Sequence, residues 1–434
     1  MAVNTPVTYR NQILYSVYVR NHTPEGTFQA LRRDLKRIRS LGTDILWLLP
    51  IHPIGKKARK GTLGCPYAIA DYRAVNPEYG TLADFQALVE DIHSLGMKCI
   101  IDVVYNHTSP DSWLAAHHPE WFYHRSDGRF GNRVGDWTDI IDLDYAQPGL
   151  RDYQIETLKY WASLVDGFRC DVASLVPLDF WLRARREVEA VRPGCIWLCE
   201  SVDPGFIAHL REEGVAVHSD GELYQAFDLG YEYDVYHQFR DCVEGKIPLS
   251  RYAEALNQQE VIYPANYVKL RFLENHDQPR AASLFPDETV LENWTALLYF
   301  QKGATLLYGG QERSCVHLPS LFEKDPVDWT SGPDRTAQLQ RLAQLKRNPL
   351  LSEGAYHAQA LPQDLLRVIY RAGERQLVGL FSLRGASAPA EVPVPDGRYE
   401  NLIDGTQVEV QHGVVNCQGH PVALQADTAR PANT

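Results

Sequence analysis

The feature that most constrains the fold is a regular alternation of short apolar segments with amphipathic helical segments. We count eight apolar segments, centred near residues 15, 46, 101, 168, 198, 224, 271 and 306. Continuous apolar strands that alternate with helices are typical of parallel β-α-β units, whose strands are buried on both faces. Eight such units in one chain predict an α/β fold of the TIM (β/α)8 barrel type.

Helix boundaries support this interpretation. Apolar side chains at helical spacing predict a helix over 27–41, which Gly42 would end. A second helix is predicted over 81–95, where Thr81 and Asp84 form the pattern of a capping box. The sixth strand is placed at 222–229.

Two parts of the chain depart from the alternation. Residues 106–148 lose the helical period, as a solvated surface loop would. Trp113, Trp121 and Trp137 within this insertion argue instead for partial packing or for a wall of a binding cleft. Beyond residue 351, short strands between turn signals indicate an all-β module. We predict a barrel formed by 1–105 and 149–350, a small irregular insertion at 106–148, and a C-terminal β-sandwich domain at 351–434.

Charge and cysteine content exclude several classes of function. The 434 residues carry a formal net charge of −12 and no basic run, which argues against nucleic acid or an anionic membrane as partner. No apolar h-region occupies the first ten residues, and no stretch is long enough for a membrane span. The eight cysteines form neither a zinc nor a CxxC pattern. We expect a reduced, cytoplasmic protein; the sequence sets no oligomeric state.

The end of the fourth strand carries the sequence Gly167-Phe-Arg169-Cys-Asp171. Side chains two residues apart in a strand point the same way, so Arg169 and Asp171 should project together. An arginine beside a carboxylate keeps it ionised, which suits a nucleophile. A purely structural ion pair is the alternative interpretation.

Polar residues also end three other predicted strands. Enzymes on this fold carry their chemistry at the carboxyl ends of the strands, so these side chains should converge on one mouth. The third strand ends at Asp102 and is followed by Asn106-His107, the fifth ends at Glu200, and the seventh is followed by Asn275-His276-Asp277.

Retaining glycoside hydrolysis requires such a set. It uses an ionised carboxylate and a protonated carboxyl about 5–5.5 Å apart. Asp171 is the predicted nucleophile, and Glu200, whose pKa burial and the charge of Asp171 would raise, is the predicted acid/base. Asp277 would bond sugar hydroxyls, as would His107 and His276. An alternative interpretation of His276 and Asp277 is a pair of surface residues without a role in catalysis. We interpret Asp102 as a structural residue, because buried polar groups usually have fixed hydrogen-bond partners.

Together these stretches resemble the hallmark regions of the α-amylase family of barrel glycosidases. A further stretch, Pro66-Tyr67-Ala-Ile-Ala-Asp71-Tyr72, is similar to the family's segment before its second helix. The resemblance implies Asp171 as nucleophile, Glu200 as acid/base and Asp277 as transition-state stabiliser. It implies that Tyr67 stacks on the sugar beside the scissile bond, and that His107, Arg169 and His276 contact the sugar or the nucleophile.

The resemblance leaves calcium open. Many members hold a structural calcium, and Asn106 and Asp142 match two of its oxygen ligands. Leu175 stands where the family has a ligand histidine, and Ser174 where endo-acting amylases carry a lysine. We therefore expect no required cofactor and assign no metal ligand.

The sequence predicts a retaining α-glycosidase that hydrolyses α-glucosidic bonds of maltooligosaccharides and α-glucans. A transglycosylase, or a sucrose- or trehalose-acting enzyme of the same family, is the first alternative, because the chemistry is shared up to the glycosyl-enzyme. A non-catalytic carbohydrate-binding or scaffold barrel is the second.

Overall fold

The computed structural model describes residues 4–134 and 137–427. Residues 1–3, Gly135 and Asp136 of the predicted insertion, and 428–434 of the predicted C-terminal domain lie outside the described residues.

Eight parallel strands form a closed barrel, which confirms the predicted fold class. The strands are β1 Ile13–Val17, β2 Ile45–Leu48, β3 Lys98–Val103, β4 Gly167–Cys170, β5 Ile196–Cys199, β6 Leu229–Tyr231, β7 Lys269–Arg271 and β8 Ala304–Tyr308. Each strand pairs with its neighbours in sequence, and β1 pairs with β8 to close the barrel. All eight are short and almost wholly buried, which explains their continuous apolar sequences.

Two local predictions were wrong. The sixth strand is β6, and the predicted position contains the short helix Asp220–Leu223 instead. Ser219 and Glu222 form a capping box there, which starts a helical turn. The predicted helix over 27–41 is divided by a turn at Arg33 and Asp34, where Asp34 begins the second helix as its N-cap.

The predicted capping box of the second helix is confirmed, since Thr81 and Asp84 cap each other's backbone N–H groups.

No helix in residues 4–134 or 137–427 has the length and apolar character needed to cross a bilayer. The α-helices are Val19–His22, Phe28–Arg32, Leu35–Ser40, Leu82–Ser94, Trp113–His117, Pro148–Ala162, Leu178–Glu189, Pro204–Glu212, Asp220–Leu223, Tyr233–Val243, Leu249–Ile262, Ala281–Leu284, Glu288–Phe300, Thr336–Lys346 and Leu350–Glu353.

The chain divides into two compact units. The first contains Leu14–Asp234 and Leu318–Asp328. The second contains Thr5–Ile13, Val235–His317 and the described part of Trp329–Thr434.

Within the first unit, the insertion leaves the barrel after β3 and returns before helix Pro148–Ala162. Its base is a two-stranded antiparallel pairing of His107–Thr108 with Ile141–Asp142. This pairing returns the chain to the barrel, so the irregular segment is anchored at both ends.

Within the second unit, the residues after 354 form antiparallel sheets, as predicted. A four-stranded sheet consists, in spatial order, of Ala355–Leu361, Leu365–Ala372, Arg375–Ser382 and Val422–Asp427. Apolar residues of this sheet and of two smaller sheets, such as Val378, Val410 and Val415, share one core. The strands of the smaller sheets are Pro389–Glu391, Gly397–Glu400, Gln407–Val410 and Val414–Asn416.

Candidate active site

Arg169 is the centre of a buried charge cluster at the end of β4. Its Nη1 lies 2.8 Å from Asp171 Oδ1 and 2.9 Å from Asp102 Oδ1. Its Nη2 lies 2.8 Å from Glu200 Oε1. Burial lowers the pKa of Arg169, but the charges of Asp102 and Glu200 outweigh it and raise that pKa well above its usual value. The predicted pairing of Arg169 with Asp171 is therefore present, and two further carboxylates share the same cation.

The register of β4 against β5 brings the carboxylates together. Gly167 pairs with Ile196, so the ends of the two strands, followed by Asp171 and Glu200, lie side by side. A Cβ atom at Gly167 would collide with the carbonyl oxygen of Ile196. Glycine is therefore required for this close approach of the strands.

Val172 has an unusual backbone conformation directly after Asp171. Its φ of 40° and ψ of 42° are left-handed, a region that β-branched residues rarely enter. In this conformation its N–H donates a hydrogen bond of 2.8 Å to Glu200 Oε2. Both oxygens of Glu200 are thus held, one by the backbone and one by Arg169. No sequence pattern indicated this strain, because valine is an ordinary strand residue.

Aromatic rings surround the guanidinium. The Tyr67 ring centroid lies 5.6 Å from Arg169 Cζ, and its hydroxyl donates to Asp102 Oδ2 at 3.0 Å. Trp47 and Tyr231 lie 5.3 and 5.4 Å from the same carbon, within the range of cation–π attraction. Sequence reasoning found Tyr67 but missed the other two. Asp102 contacts Arg169 and Tyr67, in keeping with a structural role.

His107 lies beside the cluster as a neutral imidazole. Its Nε2 is 4.0 Å from Asp171 Oδ2. Burial lowers the pKa of His107 to about 4. The amide nitrogen of Asn106 lies 3.2 Å from Nδ1, and a neutral imidazole that accepts this N–H at Nδ1 carries its proton on Nε2. His107 can therefore donate a hydrogen bond while it carries no charge.

His276 and Asp277 lie in the second unit, after β7. Their side chains approach within 3.0 Å of each other, with His276 buried and the Asp277 side chain 41% exposed. Glu274 holds this turn: it accepts hydrogen bonds of 2.6 Å from both Arg280 Nη1 and the Ala281 N–H. The predicted convergence of Asp277 with Asp171 and Glu200 stays a prediction.

Two of the residues that would bind a calcium ion line one cavity in the first unit. Asn106 and Asp142 share a cavity of about 530 Å³ with Leu175. Asp142 Oδ2 accepts the Arg133 N–H at 2.6 Å, whereas the buried Oδ1 has no hydrogen-bond partner among the described residues. Burial raises the pKa of Asp142. The part of the chain that the structure describes contains no group of three or more His, Cys, Asp or Glu side chains arranged for a metal.

Two family models match this chain. The model described as alpha amylase, catalytic domain, matches residues 12–127 and 110–349. The model described as bacterial alpha amylase C-terminal domain matches residues 357–424. Together they cover nearly the whole sequence.

Solved structures agree with these matches. A crystal structure of an alpha-amylase from Lactobacillus plantarum has a TM-score of 0.95 and 48% identity, covering 97% of this chain and 100% of that one. The noncanonic maltogenic alpha-amylase AmyB from Thermotoga neapolitana has a TM-score of 0.85 and 32% identity, covering 97% and 99%.

Among curated proteins, alpha-amylase MalA of Haloarcula japonica is 28% identical over 427 residues, 93% of this chain and 59% of that protein. An alpha-1,4-glucan:maltose-1-phosphate maltosyltransferase of Streptomyces coelicolor is 34% identical over 214 residues, 44% of this chain and 32% of that protein. The chain therefore spans less than two thirds of the length of these curated relatives.

Proposed function

This chain belongs to the α-amylase family, and from that premise we propose that it is a retaining α-glycosidase acting on maltooligosaccharides and α-glucans. The observation that supports the proposal most directly is the contact of Asp171 and Glu200 with the two terminal nitrogens of one guanidinium. Those nitrogens belong to one rigid group, so the two carboxylates lie close together, as double displacement requires.

In the first step, Asp171 attacks the anomeric carbon of the bound sugar while the bond to the glycosidic oxygen breaks. Glu200 gives its proton to that oxygen, so the leaving chain departs as an alcohol. In the second step, Glu200 takes a proton from water, whose oxygen displaces Asp171 from the anomeric carbon. Both carboxyl groups return to their starting states, and two inversions give net retention.

The charge balance of the cluster supports different protonation states for these two groups. Asp102, Asp171 and Glu200 would carry three negative charges around the single positive charge of Arg169. Excess negative charge in a buried site favours retention of a proton on one carboxyl. We assign Glu200 as the proton donor because its side chain, 13% exposed, is the most accessible of the three to a glycosidic oxygen that must receive the proton.

Substrate contacts follow from the remaining residues. Tyr67 would stack on the sugar at the scissile bond, and neutral His107 would donate a hydrogen bond to a hydroxyl. We assign Asp277 to the hydroxyls that distort the ring toward its transition state, and His276 to a neighbouring hydroxyl.

The test is Asp171→Asn, with Asp152→Asn as the matched control. Asp152 is 61% exposed and paired with Arg183 on the surface, so its loss should leave turnover unchanged. Loss of the nucleophile should reduce kcat on the best maltooligosaccharide by about a thousandfold or more. Turnover within about tenfold of the wild type would contradict the assignment. Proton NMR of the first anomer released should show the α form.

Transfer to a sugar acceptor is the second candidate, favoured by the similarity to a maltosyltransferase. The glycosyl-enzyme is common to both reactions, and only the acceptor differs. Product analysis with excess maltose discriminates them: longer oligosaccharides indicate transfer, and glucose or short maltooligosaccharides alone indicate hydrolysis. The same panel should include starch, pullulan, sucrose and trehalose. Tight maltooligosaccharide binding without any turnover would instead favour a non-catalytic binding protein.

We also propose a cytoplasmic location. The eight cysteines all lie within the described residues and form no disulfide there, and seven of them are buried, which suits a reducing compartment. Fractionation of the native cells with an antibody tests this, and recovery in the external medium would contradict it.

A further inference from the structure

We propose that Trp137 is a sugar-stacking contact for the glucosyl unit bonded to the reacting one, and that the Lys60–Asp139 ion pair fixes its position. The inference rests on the proposed function and names a specificity-determining residue for it.

The position of Trp137 is defined by its contact with His107. The two ring centroids are 5.7 Å apart, with the planes inclined by 51°. His107 in turn lies 4.0 Å from the Asp171 carboxylate. The His107 ring therefore lies between Trp137 and Asp171, the proposed nucleophile. Trp137 is partly exposed, whereas His107 is buried. A partly exposed aromatic ring at this distance is placed to contact substrate.

The insertion holds this ring in place on both sides. The Asn132 side-chain amide donates a 2.7 Å hydrogen bond to the Trp137 carbonyl. Two residues further on, Asp139 Oδ1 lies 3.0 Å from Lys60 Nζ. The Asp139 side chain is only 4% exposed, whereas that of Lys60 is 37% exposed. A nearly buried carboxylate that is held by a lysine gives the segment a fixed position.

Lys60 belongs to the same connection as Tyr67, between β2 and helix Leu82–Ser94. The ion pair thus joins the segment that carries Tyr67 to the segment that carries Trp137. One aromatic ring is placed over Arg169 and the other beside His107. Two rings on segments that are joined in this way suit two consecutive units of a sugar chain.

The other two tryptophans of the insertion have different surroundings. Trp113 stacks on His117 at 4.3 Å and lies 5.9 Å from the Tyr153 ring. Trp121 stacks on His118 at 3.8 Å. The histidine contacts lie within the insertion, and both tryptophans also lie 5.9 Å from the ring of Tyr153, which belongs to helix Pro148–Ala162. Of the three tryptophans considered as a cleft wall, Trp137 is the one in contact with the candidate site.

The chemistry favours a pyranose as the ligand. The C–H groups of a sugar ring form a flat apolar face that packs on indole, and the hydroxyls around it need polar neighbours. A neutral sugar also suits a protein with net charge −12 better than an anion does. Such a contact binds the ground state and the transition state alike, so it should act on KM.

The main experiment compares Trp137→Ala, Trp137→Phe and the control Trp113→Ala with maltotetraose as substrate. Trp113 is 41% exposed, so its variant tests for loss of any surface tryptophan. We expect Trp137→Ala to raise KM about tenfold with kcat within about threefold, because uniform binding is lost. Trp137→Phe should recover most of the affinity. A KM within about twofold of wild type for Trp137→Ala, or an equal rise for Trp113→Ala, would overturn the inference.

Failure of the proposed function gives a different result. If the wild type turns over no α-glucoside, the binding of maltotetraose to wild type and Trp137→Ala is compared by calorimetry. Weaker binding in the variant supports the contact without the catalysis, and equal binding or none in both refutes it.

The positioning role of the ion pair is tested with Lys60→Met and Lys60→Arg. We expect Lys60→Met to raise KM while kcat is retained, and Lys60→Arg to restore KM because it can pair with Asp139 again. A lower thermal midpoint with unchanged KM in Lys60→Met would mean that the pair is structural only, which contradicts the proposed role.

Discussion

The backbone N–H of Val172 donates a 2.8 Å hydrogen bond to Glu200 Oε2 from a left-handed conformation. A strained residue next to a reactive carboxylate persists only when the surrounding structure holds it. Val172 directly follows Asp171, the proposed nucleophile. Its left-handed conformation directs its backbone N–H toward Glu200, the proposed acid/base.

The strain predicts an unusual order of stability for two variants. Val172→Gly should be more stable than Val172→Ala by about 1 kcal/mol, because glycine adopts a positive φ without steric cost. At an ordinary strand position alanine would be the more stable of the two. Urea unfolding of both variants measures the difference, and a more stable alanine variant would contradict the strain.

The neutral state of two buried histidines predicts a loss of stability in acid. Burial lowers the pKa of His107 to about 4 and that of His52 to about 4. Between about pH 6.5 and 4 the unfolded chain binds a proton on each that the folded chain does not, so the free energy of unfolding falls as the pH falls. The slope is about 1.4 kcal/mol per pH unit and histidine.

Urea unfolding from about pH 7.5 down to about pH 4.5 checks this on the wild type and on His52→Gln and His107→Gln. Each substitution should flatten the slope by one proton. Only His107→Gln should also reduce turnover, because His52 Nδ1 donates to the Ala74 carbonyl at 2.9 Å and lies outside the charge cluster. An unchanged slope in both variants would rule out neutral histidines.

Substitution of Asp142 tests whether the insertion binds calcium. Without calcium, Asp142→Asn should be neutral or stabilising by up to about 1 kcal/mol, because it removes a buried charge whose Oδ1 has no hydrogen-bond partner among the described residues. The remaining carbonyl oxygen can still accept the Arg133 N–H. We expect turnover to survive dialysis against EDTA.

The measurement is the thermal midpoint of wild type and Asp142→Asn in EDTA and in calcium chloride. Equal midpoints in the two solutions are expected for both proteins. A midpoint that rises with calcium in the wild type but not in the variant would establish the metal site and refute the expectation.

Two substitutions of Tyr67 distinguish the contribution of ring stacking from that of its hydrogen bond. Tyr67→Phe keeps the ring but removes the hydroxyl and its 3.0 Å hydrogen bond to Asp102, so it should lower kcat/KM by about fivefold, the equivalent of one hydrogen bond. Tyr67→Ala also removes the ring and should lower it by about a hundredfold. Steady-state kinetics on maltotetraose measures both, with Tyr160→Ala, an exposed tyrosine, as control. Equal losses in the two variants would exclude a stacking role.

Much of the fold could be predicted because its signals are local. Apolar strands and capped helices place β1 to β5 within a residue or two, and the two-residue period places Arg169 beside Asp171. The sixth strand was misplaced because the Ser219–Glu222 capping box favours a helical turn where the apolar pattern is weak.

The sequence by itself determined the barrel and the pair of side chains at the end of its fourth strand, since periodicity and caps act between near neighbours in the chain. Only the tertiary structure decided that Asp102 and Glu200 share the guanidinium of Arg169, that Val172 is strained, and that Trp137 rather than Trp113 lies beside His107. Those relations depend on strand register and on the path of the insertion, which are set by packing between segments that are distant in sequence.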